Sequence, residues 1–231
     1  MCFSAAASFS AGAFCVVIGS KSLLRAQRSD LALAAIPIIF GVHQSLEGLV
    51  WLSRGEGLGQ LAGYVFAFIA FCLWPVYVPV ASWLSETESW RRRLVELVGG
   101  LGFGISLFAA QVLWWGLVID PSGAQVRYLP TTSYREIYDY YYALCTIGPL
   151  LLHRSPPIKV FGGLVLLFFC VTLLYLDQAR YSVWCFFAAL CSGATAIHVA
   201  AKAADLGAPP FSNAAARRDE AGGASSQGSL L

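Results

Sequence analysis

Leu31–Leu52, LALAAIPIIFGVHQSLEGLVWL, is the stretch that decides the fold. It is long and apolar enough to span a bilayer, which takes about 20 residues of helix. Yet it carries His43, Gln44 and Glu47. A carboxylate near the bilayer centre costs roughly 2.5–3.5 kcal/mol on insertion scales, so such a residue faces a bundle interior, a partner or a water-filled cavity. His43 and Glu47 are four residues apart, which on a helix puts them on one face, one turn apart, where they can share a proton, a water or an ion. Pro37 predicts a kink near the middle, and Gly48 and Trp51 lie toward the far end.

Working outward, the composition agrees with this segment. The 231 residues are 58% hydrophobic and 12% charged, with a mean hydropathy of +0.66, whereas soluble domains carry about 25% charged residues. That is the composition of an integral membrane protein, with room for several spans and none for a separate soluble catalytic domain. The net charge of +2 does not point to nucleic acid, because the basic residues sit in short clusters between apolar runs. No P-loop, dinucleotide fingerprint, HExxH or GxSxG occurs, so ATPase, NAD-enzyme, zincin and serine-hydrolase readings have no support.

The expected fold class is all-α, a polytopic membrane protein of seven transmembrane helices. The spans read as Ser8–Leu24, Leu31–Leu52, Leu61–Leu84, Leu94–Ile119, Tyr134–His153, Ile158–Leu176 and Tyr181–Lys202. Residues 1–206 form one transmembrane domain, and 207–231, rich in Gly, Ala, Ser and Arg without hydrophobic periodicity, read as a disordered cytoplasmic tail. Asp30 is placed to cap the second span. In the third, Pro75 and Pro79 free backbone carbonyls that lipid cannot satisfy, so the bend must face protein or a cavity. In the fourth, Gly100 and Gly104 suggest close helix approach. The long connection Asp120–Ser133 is suited to folding over a cavity mouth.

Basic residues set the orientation. Lys21, Arg25, Arg28, Arg91, Arg92, Arg93, Arg154, Lys159, Lys202, Arg217 and Arg218 fall on one side of seven spans, and Arg54, Arg127, Arg135 and Arg180 on the other. Eleven against four puts the N-terminus outside and the C-terminus in the cytoplasm. Glu47 then lies about 7.5 Å inside the outer end of its span, at about 1.5 Å per residue, with His43 one turn deeper. Asp139, Trp184, Cys185 and Cys2 share that outer half. His153, His198 and Lys202 belong to the cytoplasmic side, which argues against a three-histidine zinc site. His198 and Lys202 read as an inner-interface histidine beside a snorkelling lysine.

The N-terminal MCFSAAASF, the HQSLEGLVW segment and SVWCFFAA together resemble a family of uncharacterised bacterial multipass membrane proteins. The resemblance covers Met1 to about Lys202. It implies a bacterial inner-membrane location and groups Cys2, Gln44, Glu47, Gly48, Trp51, Trp184 and Cys185. That family often carries Gln at the position of His43, which leaves Glu47 as the centre of the site. A looser likeness of architecture joins the chain to seven-helix zinc-dependent membrane hydrolases such as alkaline ceramidases, although their paired histidines on the last helix are missing here.

Three functions follow. The first is a protein that binds, senses or transports a small ligand or ion in a polar pocket of the outer half, formed by Glu47, Gln44, His43, Trp51, Asp139 and Trp184. The second is a membrane-embedded hydrolase of a lipid-like substrate, with Cys2, His43 and Glu47 holding a divalent metal such as zinc or acting as nucleophile and bases. The third is a structural or assembly protein in which Glu47 and Gln44 join helices by hydrogen bonds.

Overall fold

The computed structural model describes residues 4–123, 125–131, 135–176 and 180–205. Among them the chain runs as seven helical rods. These are α1 (Ala5–Leu23), α2 (Leu31–Leu52), α3 (Leu58–Phe68) continued through a π-helical turn (Ile69–Leu73) into α4 (Trp74–Ser85), α5 (Ser89–Trp115), α6 (Arg135–Leu152), α7 (Pro156–Tyr175), and α8 (Arg180–Cys191) continued into α9 (Gly193–Asp205). Each rod packs on the next, and α8 and α9 return to α1 and α2, so the bundle closes. All but α6 are long and apolar enough to cross a membrane. The outward face is apolar too: Leu97 is 72% exposed and Leu174 74%. Water would penalise that surface and lipid does not.

The expected second span matches α2 to the residue. The fourth differs. Gly116, at φ 135°, takes a conformation that no helix continues, so α5 stops at Trp115. Ile119, expected inside that span, lies in β1 (Leu117–Asp120), which pairs antiparallel with β2 (Arg127–Pro130). The long connection is therefore a β-hairpin lying over one end of the bundle. Tyr64 meets Leu117 there, and Ile119 packs against Gly63.

The prolines behave as backbone chemistry requires. Pro75 cannot donate to the carbonyl of Phe71, and that oxygen accepts from Tyr138 Oη at 2.8 Å. Within the same π-helical turn, the Ala70 carbonyl accepts from Tyr142 Oη at 2.5 Å and the Cys72 carbonyl from Ser106 Oγ at 2.6 Å. Side chains from α5 and α6 thus replace the bonds the helix gives up. Asp30, in a 3-10 turn before α2, makes no capping hydrogen bond; its carboxylate is engaged elsewhere, as described below.

Close helix contact is also placed differently from expectation. Gly100 and Gly104 have open space where a Cβ would stand. The tight approach of α5 to α4 is at Gly102, against the Pro75 carbonyl oxygen that Pro79 leaves without its helical donor. The seam with the most glycines is α1 on α2, where Gly12 meets Gly41 and Ser45, Gly19 meets Ile38, and Gly48 meets the Phe9 ring. Gly102→Ala is expected to destabilise by about 1–3 kcal/mol, as overpacking does. Gly100→Ala and Gly104→Ala are expected to be neutral or stabilising by up to about 1 kcal/mol, through helix propensity alone. Thermal melting of the three variants in detergent separates the two sites.

Candidate functional site

Helix α2 turns one buried stripe toward the bundle axis. On it His43 and Gln44 are fully buried and Glu47 is 1% exposed. His43 Nε2 lies 3.1 Å from the carbonyl oxygen of Phe66, an acceptor only, so Nε2 carries the proton and Nδ1 is a bare acceptor. Nothing meets Nδ1. The imidazole stacks on the Phe66 ring at 3.9 Å, and Phe66 stacks on Tyr128 at 4.4 Å, so the three rings form one pile from α2 through α3 to the hairpin.

Tyr128 is the hairpin's contribution. Val126 and Tyr128 point inward while Arg127 is half-buried and pairs with Asp120. The Tyr128 phenol is pushed well above its ordinary pKa, first by burial and then by the Glu47 carboxyl and the Cys185 thiol, so it remains a neutral hydroxyl. From the other side α8 brings Ser182 to face Glu47, with Cys185 one turn further on. Trp51, one turn above Glu47, borders the same cluster.

This pocket of polar groups is unusual in what it lacks. Among the described residues, both amide atoms of Gln44, Tyr128 Oη and Trp51 Nε1 are buried without a hydrogen-bond partner, while the Ser182 hydroxyl is set against the Glu47 carboxyl. Native interiors rarely leave such atoms unpaired, and each costs about 1–3 kcal/mol.

Two residues expected in this pocket make their hydrogen bonds elsewhere. Asp139 is buried, but it pairs with Arg180 and accepts from Tyr181 Oη at 2.5 Å. Trp184 donates Nε1 to the Val165 carbonyl at 3.1 Å and stacks near Tyr142 and Phe169. It lines an apolar cavity of about 30 Å³ between α2, α4, α6, α7 and α8, whose wall also includes Phe40, Trp74 and Ala188. Cys185 belongs to both, bordering the cavity and the Glu47 cluster. Cys2 lies outside the described residues. Among those described, no three His, Cys, Asp or Glu side chains are grouped to hold a metal, so His43 and Glu47 alone would supply that expected centre.

The far end of the bundle holds a second polar cluster. Asp30 Oδ2 is 2.7 Å from Lys202 Nζ, Oδ1 accepts from Ser85 Oγ at 2.7 Å, and His198 Nε2 stands 3.5 Å away. His153 Nδ1 accepts from the Ser155 amide, leaving its Nε2 to face Ser85 at 3.3 Å, while His198 Nδ1 meets Ser155 Oγ at 2.8 Å. Burial holds the His153 imidazole down to about 4, hence neutral. Glu86 accepts from the amides of Thr87, Glu88 and Arg154. Burial raises its carboxyl, and these amides outweigh that and keep it below its ordinary value. The histidine and lysine of α9, expected to be merely interfacial, are thus joined to one buried carboxylate. They remain apart from Glu47, as their position along the chain implies.

Neither the curated proteins nor the solved structures offered a match to this chain. A family model, described as a family of unknown function (DUF6629), matches residues 1–208. The protein, with its unpaired polar cluster under a hairpin, belongs to that family.

Proposed function

We propose that the protein spans a bacterial inner membrane seven times, N-terminus outside, and binds a small polar ligand at the hairpin end, in sensing or transport. The basic residues favour this orientation. The hairpin end carries Arg54, Arg127 and Arg180, while Arg91, Arg92, Arg93, Arg154 and Lys202 lie toward the Asp30 end. α6 completes the count as a span whose buried Asp139 has its charge met inside the bundle.

The observation that carries the binding reading is the set of buried polar atoms without partners around Glu47. Helix glue would show Gln44, like Glu47 with Ser182, bonded across helices. A site that waits for a ligand sacrifices stability. Gln44→Leu, nearly isosteric, is therefore expected to stabilise the unliganded protein by about 1–3 kcal/mol, raising Tm by about 2–10 °C. Melting of the purified protein in detergent checks this. A lower Tm would mean that Gln44 is a structural tie, and the binding reading would be lost.

A further inference from the structure

The cluster around Glu47 has a definite chemical bias. Its acceptors are the Glu47 carboxyl, the Gln44 carbonyl oxygen and the bare Nδ1 of His43, and the Tyr128 and Ser182 hydroxyls can turn lone pairs inward. The arginines of this end are engaged elsewhere, Arg180 with Asp139 and Arg127 with Asp120. Among the described residues no lysine or arginine forms an ion pair with Glu47. A buried carboxyl without a cation beside it is either held as the neutral acid or ionised against a cation that a ligand brings.

The second observation is the cavity next door. Cys185 borders both it and the Glu47 cluster, and its other walls are apolar: Phe40, Trp74, Trp184 and Ala188. About 30 Å³ is room for roughly two water-sized groups, at about 10–15 Å³ each. A ligand reaching from one to the other carries a cationic hydrogen-bond donor at one end and about two carbons at the other. The Tyr128 and Trp51 rings beside the polar end suit a cation further.

We infer that the site takes a small primary alkylammonium ion, its ammonium group on Glu47, Gln44 and the Tyr128 and Ser182 hydroxyls and its short tail in the cavity beside Cys185. This rests on the binding reading above and names the ligand's class. The ammonium supplies three donors to a cluster short of them, and the charge of the carboxylate is met without any basic residue of the protein.

The test is the melting temperature of the full-length protein in detergent, titrated with methylammonium, ethylammonium, butylammonium or potassium chloride at matched ionic strength. Ethylammonium is expected to bind about fourfold more tightly than methylammonium, the fold-change that corresponds to about 0.8 kcal/mol per buried methylene. Butylammonium, too long for the cavity, loses that gain, and potassium gives no shift beyond ionic strength. Glu47→Gln should weaken every amine response at least tenfold. Ala188→Leu, which fills the cavity, should erase the difference between ethyl and methyl while keeping the methylammonium response. Amine shifts that match potassium, or that persist in Glu47→Gln, overturn the assignment. If Gln44→Leu stabilises the protein and no amine acts, the ligand class falls and the binding reading stands; if Gln44→Leu destabilises it, both fall.

Discussion

Arg180→Met is expected to cost about 3–5 kcal/mol, the range for breaking a buried ion pair from one side. Asp139 would keep its charge at 2% exposure without the guanidinium that is set against it. Arg180 is itself 4% exposed, so no water replaces the guanidinium. Arg180→Lys should recover little, because an ammonium lacks the planar fork of donors. The informative variant is the double, Arg180→Met with Asp139→Leu. Removing both charges eliminates the desolvation penalty together with the attraction, and stability should return to within about 1–2 kcal/mol of the wild type. Melting temperature and monodispersity in detergent report all three. A single Arg180→Met variant as stable as the wild type would show that Asp139 is neutral in the bundle.

Asp30→Ala is expected to be the next most damaging change, at about 2–4 kcal/mol, as for a buried charge-assisted hydrogen-bond hub. One carboxylate joins the start of α2 to Ser85 at the end of α4 and to His198 and Lys202 on α9. Lys202 is 34% exposed and can swing to solvent; Ser85 and His198 cannot follow it. Lys202→Met should accordingly cost less than Asp30→Ala. The wild type should respond to pH at this end. His153 is held at about 4 against an ordinary 6.5, so below 6.5 the unfolded chain binds a proton that the folded one refuses. Stability is complete above about pH 6.5 and falls as pH drops toward 4. Glu86, whose carboxyl is also held low, adds loss in the same direction at the acid end. A melting curve flat from pH 7 to pH 4 would contradict the neutral His153 and the bonding drawn around it.

Much of this was legible in the chain because membrane solvent is unforgiving. A polar residue in an apolar run has to face inward, so His43, Gln44 and Glu47 could be placed from α2 alone. The prolines of WPVYVP likewise announced carbonyls in need of donors, though not that Tyr138, Tyr142 and Ser106 would supply them. Tyr128 and Ser182 were missed as site residues. A tyrosine in a loop and a serine at a helix start are ordinary, and only the folded chain brings them to Glu47. One signal was present for Tyr128: in the run QVRYL, Gln125–Leu129, inward Val126 and Tyr128 alternate with their neighbours, the period of a strand lying on a surface. Asp139 and Arg180 are oppositely charged and distant in sequence, and nothing local pairs them. Asp30 misled for a physical reason: it sits where a helix cap belongs, yet a lysine and a serine from distant helices claim its oxygens.

The glycine seam between α1 and α2 has a bearing on how the chain is made. These two helices are adjacent in sequence, joined by a short turn, and fitted backbone to backbone through Gly12, Gly19 and Gly41, so their docking closes a small loop and needs nothing downstream. They can assemble as a unit while the ribosome is still extending the chain, and that unit already contains Glu47. The hairpin and α8 arrive much later. For most of its synthesis the protein therefore holds its carboxylate in a half-finished wall, and α8, the late helix bearing Ser182 and Cys185, is the one that completes it. A nascent chain stopped before α8 would fold its first two helices and leave Glu47 without Ser182 and Cys185 beside it.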